Sequence, residues 1–197
     1  APARDVREAA RRAALSGALG PQELLDIRAT LAVARAVRAI ILAQERDLPV
    51  LAAIARAIEP QPTLEQEIER AIGPKGEVKD DASPLLQRLR TEVREAYARL
   101  RERLSEIVNS PLGRQVLQEP LITSREERLV LPVKTKFRNQ LAGLIHDISD
   151  SGATVFIEPL EVVEPGNAWR ELRIAEKREV ERILRELSAA VGAQAPA

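Results

Sequence analysis

The sequence predicts a mainly α-helical fold, in which two long helices form an antiparallel stalk with a small antiparallel β-sheet inserted between them. Apolar residues make up 45 % of the 197 residues, but aromatic residues only 2 %. The core must therefore be built from Ala, Leu, Ile and Val, a composition typical of helices packed on helices. Apolar residues recur at helical spacing over most of the chain, and only residues 126–163 have the alternation of strands.

The composition also excludes several classes of site. The chain has no cysteine and one histidine, which rules out disulfide frameworks, thiolate zinc sites, cysteine nucleophiles and histidine-rich metal sites. The chain has no apolar run long enough to cross a membrane and no signal-peptide pattern, so we expect a cytoplasmic protein without membrane partners. Because 30 basic and 30 acidic residues cancel, any contact with nucleic acid must come from a local patch of charge.

Residues 1–125 are predicted to form a helical region. Helical periodicity favours helices over about residues 3–16, 21–46 and 50–58. A shorter helix is predicted to begin at the capping-box pattern Thr63-Leu-Glu-Gln66. Ser83-Pro84 then predicts the N-cap and first residue of a long helix that ends near Asn109.

Two narrow apolar seams predict the packing of the long helices. The first has steps of three or four residues: Leu89, Val93, Ala96, Leu100, Leu104 and Ile107. The second lies on a return helix predicted for residues 164–191: Trp169, Leu172, Val180, Ile183 and Leu187. Helices with one apolar seam each most simply pack side by side, here antiparallel. An ordinary helical bundle with an incidental hairpin is the alternative, and residues 192–197 are expected to be disordered.

Between these helices, residues 126–163 predict a small sheet of three strands. The strands are expected over about residues 128–137, 141–148 and 153–157, with turns at Arg138-Asn139-Gln140 and Asp150-Ser-Gly152. Pro132 lies inside the first strand and lacks an amide hydrogen, which favours an edge strand or a bulge at that point.

The predicted sheet has an uneven distribution of charge. Residues 128–146 contain basic but no acidic residues, whereas residues 147–164 contain acidic but no basic ones. We predict that the basic hairpin contacts phosphates without reading base sequence. The predicted contacts are chiefly Lys134, Lys136 and Arg138, and more weakly Arg128 and Asn139. The alternative is a solvated edge strand that its lysines protect from aggregation, and the acidic half weakens the functional interpretation unless it faces away.

No recognisable catalytic motif accompanies this patch. The sequence lacks a phosphate-binding glycine loop, a GxSxG elbow and an HExxH helix. Asp80-Asp81 lies in a polar turn and is most simply solvated. His146 and Asp147 are neighbours on a strand and point to opposite faces, which favours a structural or surface histidine over an acid–base pair. We therefore expect no active site, no metal and no cofactor in this chain.

Four stretches of the sequence are distinctive, namely Gly76–Pro84, Leu117–Thr123, Arg128–Lys134 and Gly143–Pro159. They resemble the second bacterial MutS family, also called endonuclease MutS-two, in the region that precedes its ATPase domain. The resemblance extends from near the first residue to about Leu187, and its most specific part runs from His146 to Pro159.

The resemblance implies a lever of long helices that descends from an ATPase to a small β-rich clamp. It also implies a homodimeric DNA-repair protein that binds branched or duplex DNA and suppresses homologous recombination. Some members have been assigned roles at stalled ribosomes, where ribosomal RNA would be the partner. The ATPase, with its ATP and Mg²⁺, and a C-terminal nuclease domain would lie outside this chain, so we expect an internal fragment. Two hypotheses follow, a DNA-binding clamp and lever module or a structural dimerisation element.

Overall fold

The computed structural model describes residues 2–194, which form seven α-helices and four β-strands. The helices are α1 (Arg7–Ala14), α2 (Pro21–Ala43), α3 (Pro49–Arg56), α4 (Pro62–Ala71), α5 (Pro84–Asn109), α6 (Pro111–Val116) and α7 (Leu160–Gln194). The strands are β1 (Thr123–Arg125), β2 (Arg128–Lys134), β3 (Gly143–Ile148) and β4 (Thr154–Pro159). The mainly helical fold with a small antiparallel sheet is thus confirmed.

The described residues divide into two compact units. One contains residues 2–87 and 177–194, and the other contains residues 88–176. The helices α5 and α7 each contribute to both units, and each unit has its own hydrophobic core.

The first unit has a helical core. Apolar side chains from five helices meet in it, among them Ala13, Leu24, Ile68, Leu86 and Ile183. The Oγ of Ser83 accepts a hydrogen bond of 3.0 Å from the amide of Leu86, which confirms Ser83 as the N-cap of α5. The capping box predicted at Thr63 is wrong, because α4 begins one residue earlier at Pro62 and its N-cap, Gln61, makes no capping bond through its side chain.

The second unit packs one face of the sheet against α5. The strand order is β1-β2-β4-β3, and all three pairings are antiparallel. One hydrophobic core contains Leu131 and Val133 of β2, Ile157 of β4, and Leu100 and Leu104 of α5. The central part of the seam predicted for α5 therefore faces the sheet.

Within this second unit, side chains of α5 and α7 meet in antiparallel order. Arg90 Nε lies 3.0 Å from Glu176 Oε1, and the rings of Tyr97 and Trp169 have their centroids 5.3 Å apart. Residue numbers rise along α5 as they fall along α7, but the α5 residues in these two contacts, Arg90 and Tyr97, lie outside the seam predicted for that helix. No helix in the part of the chain that the structure describes is long and apolar enough to cross a membrane.

The sheet has one more strand than the sequence predicts. The short strand β1 pairs with the start of β2 through the tight turn at Glu126 and Glu127, whose φ angles are 45° and 63°. Left-handed residues suit this type of turn, and they are usually Asn or Gly. Two glutamates give no such signal, and a strand of three polar residues has no apolar alternation, so neither feature was predictable.

The basic hairpin predicted from residues 128–146 does not form. The strand β4 lies between β2 and β3 and pairs with both, so the two strands of the predicted hairpin are not neighbours. The strand β2 is also internal rather than at an edge. Pro132 is tolerated there because β1 pairs with β2 only as far as Val130, so no residue of β1 needs the missing amide hydrogen. The carbonyl of Pro132 accepts a hydrogen bond of 2.8 Å from the amide of Gln118. The irregularity in pairing falls instead at His146 of β3.

The return helix is longer at both ends than the predicted span of residues 164–191. The helix α7 begins at Leu160 and passes through Pro165 and Gly166, a pair that normally breaks a helix. Packing overrides this preference, because Val162 is fully buried in the core and Gly166 is buried against Glu158. Residues 192–194, predicted to be disordered, are helical, and the rest of that predicted tail lies outside the described residues.

Candidate nucleic-acid interface

Residues 134–139, which we call the basic loop, connect the end of β2 to the start of β3. The backbone turns here through the 3-10 segment Thr135–Phe137. Thr135 fixes this turn to the neighbouring β3–β4 connection, since its amide donates to the Ala153 carbonyl at 3.0 Å and its hydroxyl to the Gly152 carbonyl at 2.6 Å. The basic loop is therefore held at its base by the sheet.

The structure brings four of the five predicted contact residues together in this loop. Lys136, Arg138 and Asn139 are exposed, and Lys134 is half-buried. Lys134 Nζ lies 3.3 Å from the carbonyl oxygen of Gln115, and Lys136 Nζ lies 4.9 Å from the centroid of the Phe137 ring. Among the residues that the structure describes, no carboxylate pairs with Lys134, Lys136 or Arg138. Their positive charges are therefore not neutralised by any residue from 2 to 194.

Arg128, the fifth predicted residue, lies apart from this group. It begins β2 whereas Lys134 ends it, a separation of about 20 Å at the rise of a β-strand. Its guanidinium Nη1 lies 3.2 Å from Oε1 of Glu158, whose side chain is only 2 % exposed. The Arg128 side chain is 18 % exposed. Its charge compensates a buried carboxylate, and the structure does not join it to the basic loop.

The single histidine of the chain is paired with the same carboxylate. His146 Nε2 lies 2.7 Å from Oε2 of Glu158, and the irregularity in β3 at this residue directs the imidazole toward β4. The side chain of Asp147 has a different partner, Arg125, whose Nε lies 2.9 Å from Oδ2. His146 and Asp147 thus do not form an acid–base pair, and the prediction of a structural histidine is confirmed.

The acidic half of the sheet does not simply oppose the basic half. Asp147 and Glu158 are both paired with basic side chains, so their charges are compensated. Asp150 lies exposed in the β3–β4 turn, close in sequence to the residues that hold Thr135. The connection that supports the basic loop therefore has one exposed carboxylate, and the remaining two acidic residues of this half, Glu161 and Glu164, lie exposed on α7.

Two residues on the face of the sheet opposite to the α5 core were not predicted from the sequence. The guanidinium carbon of Arg125 lies 3.8 Å from the centroid of the Phe156 ring. Arg125 belongs to the unpredicted strand β1, so nothing in the sequence placed it beside β4. The aromatic residue itself, in the stretch Val155-Phe156-Ile157, could have been identified from the alternation of the strand.

The candidate cation site at Asp80-Asp81 gains no further ligands. These residues form the 3-10 turn Asp80–Ala82. Within residues 2–194, no group of three or more histidine, aspartate or glutamate side chains is arranged to hold a metal ion.

The amino-acid sequence is similar to proteins named endonuclease MutS2, although no protein-family model matches it. It is 44 % identical over 192 residues to the protein of Pelotomaculum thermopropionicum, covering 98 % of this chain and 24 % of that protein. It is 46 % identical over 190 residues to the protein of Geobacillus thermodenitrificans, covering 95 % of this chain and 24 % of that protein. It is 37 % identical over 191 residues to the protein of Clostridioides difficile, covering 95 % of this chain and 24 % of that protein.

These matches extend over nearly the whole chain, and the chain spans about a quarter of the length of the curated relatives it matches. They agree with the four stretches on which the resemblance was based. The chain belongs to the MutS2 family.

Proposed function

We propose that this chain is a DNA-binding clamp and lever module of a MutS-like DNA-processing protein and has no active site of its own. The observation that carries the proposal is the basic loop. Lys134, Lys136 and Arg138 project from one short segment that the sheet holds in place, and no carboxylate among residues 2–194 neutralises them. A small group of unpaired cations on a fixed support suits the phosphate backbone of a nucleic acid.

Such an interface binds through charge and not through base sequence. Each cation that neutralises a phosphate releases a counterion from the nucleic acid, so the affinity falls as salt rises. Three phosphate contacts give a slope of log K against log salt of about −3 on duplex DNA. Asn139 is an exposed amide at the end of the loop, and it adds an uncharged donor. Arg128 contributes less, because Glu158 occupies its guanidinium.

The two long helices supply the lever in this proposal. The helices α5 and α7 each belong partly to the unit with the basic loop and partly to the other unit. In the full-length protein these helices would couple the clamp to an ATPase domain that uses ATP and Mg²⁺. The whole protein would then act in the cytoplasm as a homodimeric ATPase and endonuclease that suppresses homologous recombination.

A titration of branched and duplex DNA at several salt concentrations tests the basic loop. Triple alanine substitution at Lys134, Lys136 and Arg138 should weaken binding at least tenfold at low salt and reduce the salt slope by 2 to 3. The matched control removes three exposed basic residues of the first unit, Arg11, Arg46 and Lys75. If the loop variant and the control keep the affinity and salt slope of the parent, the clamp assignment is wrong.

The structural dimerisation element remains as a second proposal, and an apolar surface in the first unit supports it. Several large apolar side chains on α2 and α3 are exposed, namely Val37, Ile40, Val50, Leu51 and Ile54. Exposed apolar patches often mark interfaces between proteins. Sedimentation velocity of the chain, alone and with branched DNA or a ribosomal RNA helix, separates the proposals. A chain that dimerises and binds neither nucleic acid would support the dimerisation element. Preferential binding of the RNA would support a ribosome-binding module.

A further inference from the structure

The face of the sheet opposite to the α5 core has an aromatic ring that this core does not use. Phe156 lies between Val155 and Ile157, which are both buried in the core. Neighbouring residues of a strand point to opposite faces, so the Phe156 ring projects from the other face, where it is only half-buried. The charged side chain of Arg125 lies over this ring, with its guanidinium carbon 3.8 Å from the ring centroid.

The covering side chain is held by weak, exposed contacts. Arg125 Nε lies 2.9 Å from Oδ2 of Asp147, and the two side chains are 35 % and 47 % exposed. Arg125 Nη1 also donates to the carbonyl of Ser124 at 2.8 Å. Exposed ion pairs contribute little to stability and are screened by salt. A phosphate that approaches Arg125 can therefore compete with Asp147 for its guanidinium.

The ring and the basic loop share one face of neighbouring strands. Phe156 is paired with Pro132, and Lys134 is paired with Thr154. Lys134 lies two residues beyond Pro132 along β2, which corresponds to about 7 Å. A nucleotide whose base lies on the Phe156 ring would have its backbone within reach of the Lys134 side chain. Arg125 lies over the same ring, so its guanidinium has to move aside for a base to stack there.

We propose that Phe156 is a stacking platform for an unpaired nucleobase, and that Arg125 moves from Asp147 to an adjacent phosphate when the base binds. The proposal rests on the nucleic-acid binding proposed above and specifies its ligand as single-stranded nucleic acid, because the bases of a duplex are already stacked on one another. Stacking of a base on an aromatic side chain depends little on base identity and contributes about 5- to 150-fold in affinity. The competing interpretation is that Arg125, Phe156 and Asp147 only brace β1 against β3 and β4.

The test compares two fluorescent oligonucleotides of equal length and charge, oligo-dT and an abasic strand, by anisotropy with the 197-residue chain. The parent should bind oligo-dT at least fivefold more tightly than the abasic strand. Phe156→Leu should reduce this ratio to about 1 and leave the affinity for the abasic strand unchanged, whereas Phe156→Tyr should preserve the ratio. Triple alanine substitution in the basic loop should weaken both complexes and leave the ratio in place.

A ratio of 1 in the parent, or a ratio that Phe156→Leu does not change, would overturn the stacking platform and leave the clamp proposal standing. If the parent binds neither of the two oligonucleotides nor duplex DNA, both the stacking platform and the clamp proposal are overturned. Asp147→Asn supplies an independent measurement, because freeing Arg125 should raise the ratio above that of the parent. Far-ultraviolet circular dichroism and the fluorescence of Trp169, which lies in the same unit, verify that each variant is folded.

Discussion

Nε2 of His146 lies 2.7 Å from Oε2 of Glu158, a carboxylate that is almost completely buried at the end of β4. The other oxygen of the same carboxylate lies 3.2 Å from Nη1 of Arg128. These contacts join β2, β3 and β4 at the end of the sheet remote from the basic loop. Glu158 therefore stabilises the support on which the proposed interface depends, and its partners are not free for a ligand.

Removal of the buried carboxylate should destabilise the second unit. Glu158→Leu leaves the guanidinium of Arg128 largely buried without its partner, and we expect the free energy of unfolding to fall by about 3 kcal/mol. The double variant Glu158→Leu/Arg128→Met should recover most of this loss, because it leaves no charge uncompensated. Urea unfolding followed by the fluorescence of Trp169, the only tryptophan, measures both changes.

An exposed ion pair in the same sheet provides the control for the coupling between Glu158 and Arg128. Arg125 and Asp147 are also hydrogen-bonded, but both side chains are solvated. Their coupling energy should be about 0.2–1 kcal/mol. A coupling between Arg128 and Glu158 no greater than this would contradict a structural role for the buried pair.

The glycine beside Glu158 gives a second prediction. A Cβ on Gly166 would lie 2.9 Å from Oε1 of Glu158 and 3.6 Å from Nη1 of Arg128. Gly→Ala within a helix normally stabilises by about 1 kcal/mol, but here the methyl group displaces the carboxylate from Arg128. We expect Gly166→Ala to lower the free energy of unfolding by about 1 kcal/mol. In a Glu158→Ala background the same substitution should be stabilising.

An exposed site on the same helix calibrates this result. Ala168 is exposed on α7, and Ala168→Gly measures the helix preference without a clash. The loss there should be about 1 kcal/mol. If Gly166→Ala stabilises the parent by a similar amount, the carboxylate accommodates the methyl group and the packing argument is wrong.

The parts of this fold that were predictable from sequence are those with a strong local signal. The cap at Ser83 and the buried positions Leu100 and Leu104 follow directly from residue type and helical period. The start of α7 was not predictable, because tertiary packing around Val162 overrides the local preference of Pro165. Local sequence sets the beginning and the face of a helix, but a distant partner decides whether an unfavourable residue is tolerated.

The candidate site divides in the same way. Lys136 and Arg138 are close in sequence, so their proximity in space was predictable. Arg128 has the same charge and begins β2, the strand that leads to this loop, but Glu158, thirty residues later, determines its role. Arg125 and Phe156 meet only because β1 pairs with β2 and β4 lies beside it. Sequence alone could not determine this strand order, since it predicted a hairpin in place of the observed arrangement.

The stability of the first unit should depend on pH through Glu179. This carboxylate is 4 % exposed. Arg182 donates two hydrogen bonds of 2.8 Å to it, and these, with a weaker contribution from the Ser83 hydroxyl, lower its pKa from 4.5 to about 2 against the opposing effect of burial. A lowered pKa in the folded state stabilises the fold above pH 4.5, and this stabilisation is lost as the pH falls toward 2.

We expect ionised Glu179 to contribute about 2 kcal/mol at neutral pH, less than the pKa change alone implies because Arg182 is partly solvated. Urea unfolding followed by circular dichroism should show a larger loss of stability between pH 5 and pH 2 in the parent than in Glu179→Gln. The comparison with the variant removes the contribution of the other carboxylates. Parallel pH profiles for the two proteins would show that Glu179 is not the source.

The hydroxyl of Ser83 should have two separable effects, because it accepts from the Leu86 amide at 3.0 Å and donates to Oε1 of Glu179 at 2.6 Å. Ser83→Ala removes both bonds and should lower the free energy of unfolding by about 1–2 kcal/mol. It should also raise the pKa of Glu179 above about 2, which a carboxyl-carbon NMR titration detects. Ser83→Thr retains the hydroxyl and should show neither change in full. Ser83→Asp retains only the cap, so it should preserve the helix while placing a second carboxylate against Glu179. If the pKa of Glu179 is unchanged in Ser83→Ala, then Arg182 alone holds this carboxylate ionised.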